Sequence, residues 1–269
     1  MSEVSTAKYE KPQPKEKIIV ALDVETVEKA REIIAELRGE VGAFKIGLQL
    51  FTAAGASFVS ETVASGVKVF LDLKFHDIPN TVAKASVEAA RFGVWMFNVH
   101  AAGGAEMMRK TIEEVREFCE RENLRQPKII GVTVLTSSVR ETLREVGIEK
   151  ETDEQVLSLA RLAAKCGLDG VVASPREVKI IRENIREKDF LIVTPGIRSS
   201  EFKVQSSNLR DQRAKIESQS ETIDDQKRVM TPGEAVRAGS DYLVIGRPIL
   251  QVRDKISAVR EIVKQIETP

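Results

Sequence analysis

Short apolar runs rich in Val, Ile and Leu alternate with longer stretches in which apolar residues recur every three to four positions, and the alternation repeats eight times. The short runs predict strands at Ile18 to Val24, Ala43 to Leu48, Val67 to Lys74, Trp95 to His100, Ile129 to Leu135, Gly170 to Ser174, Phe190 to Pro195 and Tyr242 to Gly246. Several are apolar almost throughout, as parallel strands covered on both faces are. The longer stretches predict helices at Val27 to Leu37, Val82 to Phe92, Ala105 to Glu122, Asp153 to Cys166, Pro175 to Ile185 and Thr231 to Ala238, with Ile256 to Ile266 after the last strand. Eight such units predict an α/β fold, a (β/α)8 TIM barrel. The alternative is a doubly wound open sheet, which would need a glycine-rich turn after the first strand, where Leu22-Asp23-Val24-Glu25 stands instead.

The 269 residues suit one large domain and are awkward for two. Residues 16 to 269 are expected to form the barrel. Met1 to Lys15, with two prolines and many charges, reads as a disordered lead. Ser199 to Asp225 is long, charged and poor in apolar residues, and reads as an inserted loop or lid in which Leu209 to Gln219 could form one short helix. Lys plus Arg equals Asp plus Glu at 41 each, so no overall basic field exists to gather nucleic acid or an anionic membrane. No apolar run approaches the ~20 residues that span a bilayer, and the polar N-terminus lacks the core of a signal peptide, which points to the cytoplasm. The two cysteines, Cys119 and Cys166, fall in helical patterns without metal-ligand spacing and read as structural.

Chemistry in a barrel of this type gathers where strands end on the C-terminal face. The sequence puts Asp23, Lys45, Asp72 with Lys74, His100, Thr136, Ser174, Arg198 and Arg247 at or near successive strand exits. The densest stretch is Leu71 to Thr81, reading LDLKFHDIPNT. Asp72 and Lys74, two apart on a strand, share a face, and Asp77 follows in the loop that Pro79 ends. An exposed ion pair contributes only ~0 to 1 kcal/mol, so three charges held at a buried strand end suggest chemistry, although a structural salt bridge would use the same residues. At the exits of strands seven and eight, Gly196 and Gly246 permit close backbone approach, while Arg198 and Arg247 offer guanidinium forks suited to phosphate. Barrels often bind phosphate at these two loops.

The segments ALDV at Asp23, FKIGLQL at Lys45, FLDLKFHDIPNTV, NVHAAGG, GVTVLTS, TPGIR at Arg198, DQKRVMTP and YLVIGRPI together resemble the orotidine 5′-phosphate decarboxylase family, in the family's order. An Asp-x-Lys-x-x-Asp core also occurs in related sugar-phosphate barrels, but its continuation through Ile78-Pro79-Asn80-Thr81 looks like the nucleotide decarboxylases. The resemblance implies decarboxylation of orotidine 5′-phosphate to UMP, with no metal and no cofactor. It implies a network of Lys45, Asp72, Lys74 and Asp77 around the reacting carbon, with Lys74 as proton donor. It further implies a homodimer in which Asp77 and Thr81 complete the partner's site, Asp23 and Thr81 near the ribose, and Thr136 near the pyrimidine. Arg198, Gly246 and Arg247 are implied at the phosphate, with Gln226 bridging phosphate and base; Gln205 and Gln212 also lie downstream of Arg198. His76 and His100 make a poor metal site, and His100 reads as structural. Two alternatives stay open: a sugar-phosphate lyase that stabilises an enediolate with a divalent metal, and a noncatalytic barrel that keeps only the phosphate site.

Overall fold

The computed structural model describes residues 12–187, 189–198 and 230–268. Within them, eight parallel strands close in sequence order into a barrel: β1 Ile18–Ala21, β2 Ala43–Gly47, β3 Val69–Phe75, β4 Met96–His100, β5 Lys128–Val132, β6 Gly170–Val172, β7 Leu191–Thr194 and β8 Tyr242–Ile245. The open-sheet alternative falls here, because β8 pairs back onto β1 through Ile18↔Leu243, Ile19↔Val244 and Val20↔Ile245. The described helices are α1 Val27–Leu37, α2 Leu48–Ala64, α3 Pro79–Arg91, α4 Gly104–Arg121, α5 Arg140–Glu145, α6 Thr152–Cys166, α7 Val178–Asn184, α8 Pro232–Ala238, α9 Arg247–Leu250 and α10 Lys255–Glu267. No helix among the described residues is long and apolar enough to cross a membrane.

Local chemistry sets the helix limits. Thr26 accepts the Lys29 N–H to start α1, Asp254 does the same for Ser257 at α10, and Thr231 with Glu234 forms a reciprocal cap on α8. At the other ends, Gly167 and Gly239 stop α6 and α8 in left-handed conformations at φ 89° and 114°, which favour glycine.

Several elements differ from the sequence pattern, and the short helices α5 and α9 fall where it predicts none. Helix α2 was not expected, because its apolar residues are scattered around the axis instead of forming a stripe, and Gly55 at φ 72° and ψ −176° kinks it. Several strands are shorter than their apolar runs: β1 stops at Ala21 and β5 at Val132, leaving Leu22 to Val24 and Thr133 to Leu135 as the rims of loops. At the N-terminus, Pro14 and Lys15, expected within the lead, open a short 3-10 turn, Pro14–Lys17, that feeds β1; residues 1–11 lie outside the described residues. The insertion expected at 199 to 225 and its inner helix also lie outside them. The chain on either side of it meets, with Ile197 bridged to Met230 and the Arg198 N–H donating to Met230 O at 3.0 Å.

The core has two layers. One lies between barrel and helices and takes the buried face of each helix, such as Ala30, Ile33, Ile34 and Leu37 of α1. The other fills the barrel with Ile19, Ala21, Ala43, Phe70, Met96, Ile130, Leu191, Val193, Tyr242 and Val244. At the bottom of the barrel, Asp169 and Asp241, each just before a strand, accept the N–H of Ile129 and of Ile192 on the neighbouring strands, both at 2.7 Å. Arg182 of α7 pairs with Asp241 and also donates to the carbonyls of Gly239 at 2.8 Å and Phe190 at 2.6 Å. A single guanidinium thus ties α7 to the entries of β7 and β8.

Candidate active site

The side-chain alternation of parallel strands builds the site directly on the inner core. Inward positions two residues apart put Ala43, Phe70 and Met96 in the apolar filling and Lys45, Asp72 and Asn98 in the next layer towards the C-terminal face. Lys45 is 8% exposed, Asp72 9% and Asn98 0%, so the barrel holds a polar layer on an apolar floor. Charge at that depth persists only when paired. The pairs are present: Lys45 Nζ lies 3.2 Å from Asp72 Oδ2 and 3.3 Å from Asp23 Oδ1, and Lys74 Nζ lies 2.8 Å from Asp72 Oδ1. The result is a chain of alternating sign, Asp23–Lys45–Asp72–Lys74, running from the exposed Asp23 through the barrel to the half-buried Lys74.

Protonation follows from that order. Burial is the strongest influence on Lys45 and opposes its charge, but Asp72 and then Asp23 outweigh it and raise its pKa above the ordinary 10.5. Burial likewise works against the Asp72 carboxylate, and the combined pull of Lys45, Lys74 and the hydrogen bonds from Lys74 and Asn98 lowers its pKa below the ordinary 3.8. Both groups are therefore ionised at neutral pH.

Lys74 is reached in an unexpected way. The residue has φ 53°, left-handed backbone that costs a non-glycine residue roughly 1 kcal/mol, and the β3–β4 register shifts between Leu71 and Phe75 around it. Simple strand alternation is thus not what brings Lys74 to Asp72. The strained N–H donates to Asn98 Oδ1 at 2.8 Å, while Asn98 Nδ2 donates to Asp72 Oδ1 at 2.6 Å. Asn98 went unnoticed in the sequence; its signal was a polar residue at an inward position of a strand whose other core positions are apolar. Gly47 contributes space. A Cβ there would stand 2.9 Å from Lys45 Nζ.

The other expected residues ring the barrel mouth. Asp77 and Thr81 do not join the chain of ion pairs: both are exposed, and the Asp77 carboxylate accepts the Ile78 N–H at 2.7 Å. Between them Ile78 is 66% exposed. Thr136 is half-buried in the turn after β5. Gly196 has φ 82°, a left-handed turn just before Arg198 at the exit of β7. Gly246 precedes α9, and a Cβ on it would sit 3.6 Å from Asp23 Oδ2, so the exit of β8 borders the ion chain; Arg247 is the first residue of α9. Gln226, Gln205 and Gln212 lie outside the described residues. His100 packs its ring 5.3 Å from that of His76, and burial, then the charges of His76 and Lys74, lower its pKa below the ordinary 6.5 against the pull of Asp72. Among the described residues, no three His, Cys, Asp or Glu side chains converge as metal ligands would.

The chain is similar to proteins of known activity over nearly its whole length. The model of the orotidine 5′-phosphate decarboxylase / HUMPS family matches residues 16–262. An orotidine 5′-phosphate decarboxylase of Syntrophotalea carbinolica is 51% identical over 254 residues, covering 94% of this chain and 96% of that protein. Another, of Geobacter sulfurreducens, is 51% identical over 255 residues, covering 94% and 97%. The crystal structure of orotidine 5′-phosphate decarboxylase from Lactobacillus acidophilus superposes with a TM-score of 0.76 at 35% identity, covering 93% of this chain and 99% of that one.

Proposed function

The chain belongs to the orotidine 5′-phosphate decarboxylase / HUMPS family, and on that premise we propose that it converts orotidine 5′-phosphate to UMP and carbon dioxide in pyrimidine biosynthesis, as a cytoplasmic homodimer. The observation that carries the reading is the ion chain Asp23–Lys45–Asp72–Lys74 seated on an apolar floor at the C-terminal face of the barrel.

Breaking the bond between C6 and the carboxylate leaves the electron pair on C6, in an orbital orthogonal to the ring π system. Delocalisation into the ring cannot hold it well, so preorganised charge must supply the stabilisation. The Lys74 ammonium faces the developing carbanion, favours it over the neutral ground state, and then gives it a proton; solvent reprotonates the amine. Asp72, held as a carboxylate, sits beside the departing carboxylate and fixes Lys74. Lys45 balances Asp72, and without it Lys74 alone would have to offset two carboxylates in the pocket.

Asp23 binds the ribose, with Thr81 of the partner subunit, and Thr136 meets the pyrimidine. Arg198, Gly246, Arg247 and Gln226 take the phosphate, with Gln226 reaching the base. Binding energy from this nonreacting phosphate organises the charged residues, so its loss lowers turnover as well as affinity. The exposure of Asp77, and of Ile78 beside it, supports a role for this loop on a second copy, where Asp77 completes the network.

Absorbance loss on incubation with orotidine 5′-phosphate tests the reading. Turnover should persist in EDTA; loss of activity on chelation would favour the metal-dependent alternative, and no turnover at all the binding barrel. Lys74→Ala should lower turnover by more than about 10³-fold while UMP still binds, and near wild-type turnover would refute the proton-donor role. Mixing inactive Lys74→Ala and Asp77→Asn should restore activity through heterodimers. Verified heterodimers that stay inactive would place Asp77 within its own subunit's chemistry.

A further inference from the structure

The two ends of the Asn98 amide each meet a group that can bond in one sense only. Lys74 offers a backbone N–H, which can only donate, and Asp72 an ionised carboxylate, which can only accept. The amide orientation is thereby fixed by chemistry, with Oδ1 towards Lys74 and Nδ2 towards Asp72. The side chain is fully buried, at 0% exposure, so no water can replace either bond without opening the barrel. Its two partners are consecutive links of the ion chain, joined to each other at 2.8 Å.

Resting on the decarboxylase reading and deepening it, we propose that Asn98 is a positioning residue. Its amide holds the backbone of Lys74 in the left-handed conformation and the Asp72 carboxylate in one rotamer, and so fixes where the ammonium points. The register shift between Leu71 and Phe75 withdraws the Lys74 N–H from the regular strand ladder, and Asn98 on β4 supplies the missing acceptor. Without it, extended backbone becomes the favoured state of Lys74, and the amine swings with the chain. An apolar side chain would meet neither partner, a carboxylate would repel Asp72, and a serine hydroxyl, donor and acceptor on one atom of a shorter side chain, cannot stand where both Oδ1 and Nδ2 stand. The groups facing position 98 are Asp72 and Lys74 from β3, Lys45 behind Asp72 from β2, and His100 on its own strand with His76 against it. On β5 the residue in register is Ile130, which does not titrate.

The test uses Asn98→Ala, Asn98→Ser and Asn98→Asp in the full-length protein, with wild-type turnover in the same series reporting separately on the functional reading. Asn98→Ala should lower kcat about 100-fold with KM nearly unchanged, the mark of a displaced catalytic group, and Asn98→Ser should fall between it and wild type. Asn98→Asp keeps shape and acceptor but loses the donor unless protonated. Its kcat relative to wild type, measured on protein shown to be folded at each pH, should therefore rise as pH falls, a change per folded molecule that a packing role would not produce. A readout independent of turnover is the crystal structure of Asn98→Ser, or of Asn98→Asp if the former does not fold, in which Lys74 should leave the left-handed region or Asp72 change rotamer. Unchanged kcat in a folded variant, or Lys74 and Asp72 unmoved in that crystal structure, would overturn the proposal.

Discussion

Replacing Asp72 by Asn keeps the shape of the side chain and removes the one negative charge that three donors share. In the native site Oδ1 takes Lys74 Nζ at 2.8 Å and Asn98 Nδ2 at 2.6 Å, and Oδ2 takes Lys45 Nζ at 3.2 Å. An amide has one acceptor oxygen. If that oxygen keeps the Oδ1 position, its NH2 faces the Lys45 ammonium, donor against donor. Lys45 is then a buried cation whose remaining partner, Asp23, lies 3.3 Å away with 61% of its side chain exposed, so solvent weakens the compensation. Breaking a buried pair in this way costs about 3–5 kcal/mol; because Lys45 keeps Asp23 and Lys74 can turn to water, we expect about 3 kcal/mol. That corresponds to a thermal midpoint roughly 6–12 °C lower, measured at fixed protein concentration. The pH dependence is more diagnostic. In the native protein Lys45 titrates above its unfolded value of 10.5, so its contribution is complete below that value and is lost as pH rises through the folded one. In Asp72→Asn, burial dominates, Lys45 titrates below the unfolded value, and stability should instead rise as pH climbs towards it. Urea titrations across alkaline pH distinguish the two slopes. A variant within about 1 kcal/mol of wild type, or one that loses stability with alkali in parallel with it, would refute the assigned charge balance.

Gly47→Ala should leave the fold within about 1 kcal/mol of wild type, because the atom its Cβ meets is the end of a flexible side chain that a small shift clears without parting it from Asp72, yet turnover should drop ~10- to 100-fold as the displaced Lys45 Nζ misaligns the Asp72 carboxylate; unchanged kinetics would show that Lys45 has slack. His100 has a folded pKa below its unfolded 6.5, so the unfolded chain binds the proton more readily and His100 costs stability as pH drops below that value. His100→Gln should flatten this acid limb in urea denaturation, and an unaltered limb would assign it to other groups.

The barrel was legible because β-branched runs and amphipathic stretches carry their own periodicity, and Asp23, Lys45, Asp72 and Lys74 were legible because strand exits collect polar residues. What escaped was decided by contacts between distant segments. Helix α2 has no apolar stripe to announce it, and just past the end of β5 at Val132 the Thr133 hydroxyl donates to the Val172 carbonyl of β6 at 2.8 Å, a contact 39 residues apart in sequence. The positive φ of Lys74 has no local cause: neither lysine nor its neighbours prefer it, and the acceptor that sustains it lies 24 residues away. The pairing of Asp72 with Lys74 was thus anticipated from alternation, whereas the structure achieves it through a break in alternation.

Arg182 sits at the opposite mouth from the chemistry, fastened to Asp241, Gly239 and Phe190. Damage there would shorten the working lifetime of the protein without altering the rate of each molecule still folded, whereas damage to the buried ion chain would slow every molecule and shorten its lifetime as well. Durability can therefore be tuned at the far pole of this barrel without touching speed, whereas at the catalytic pole the two move together.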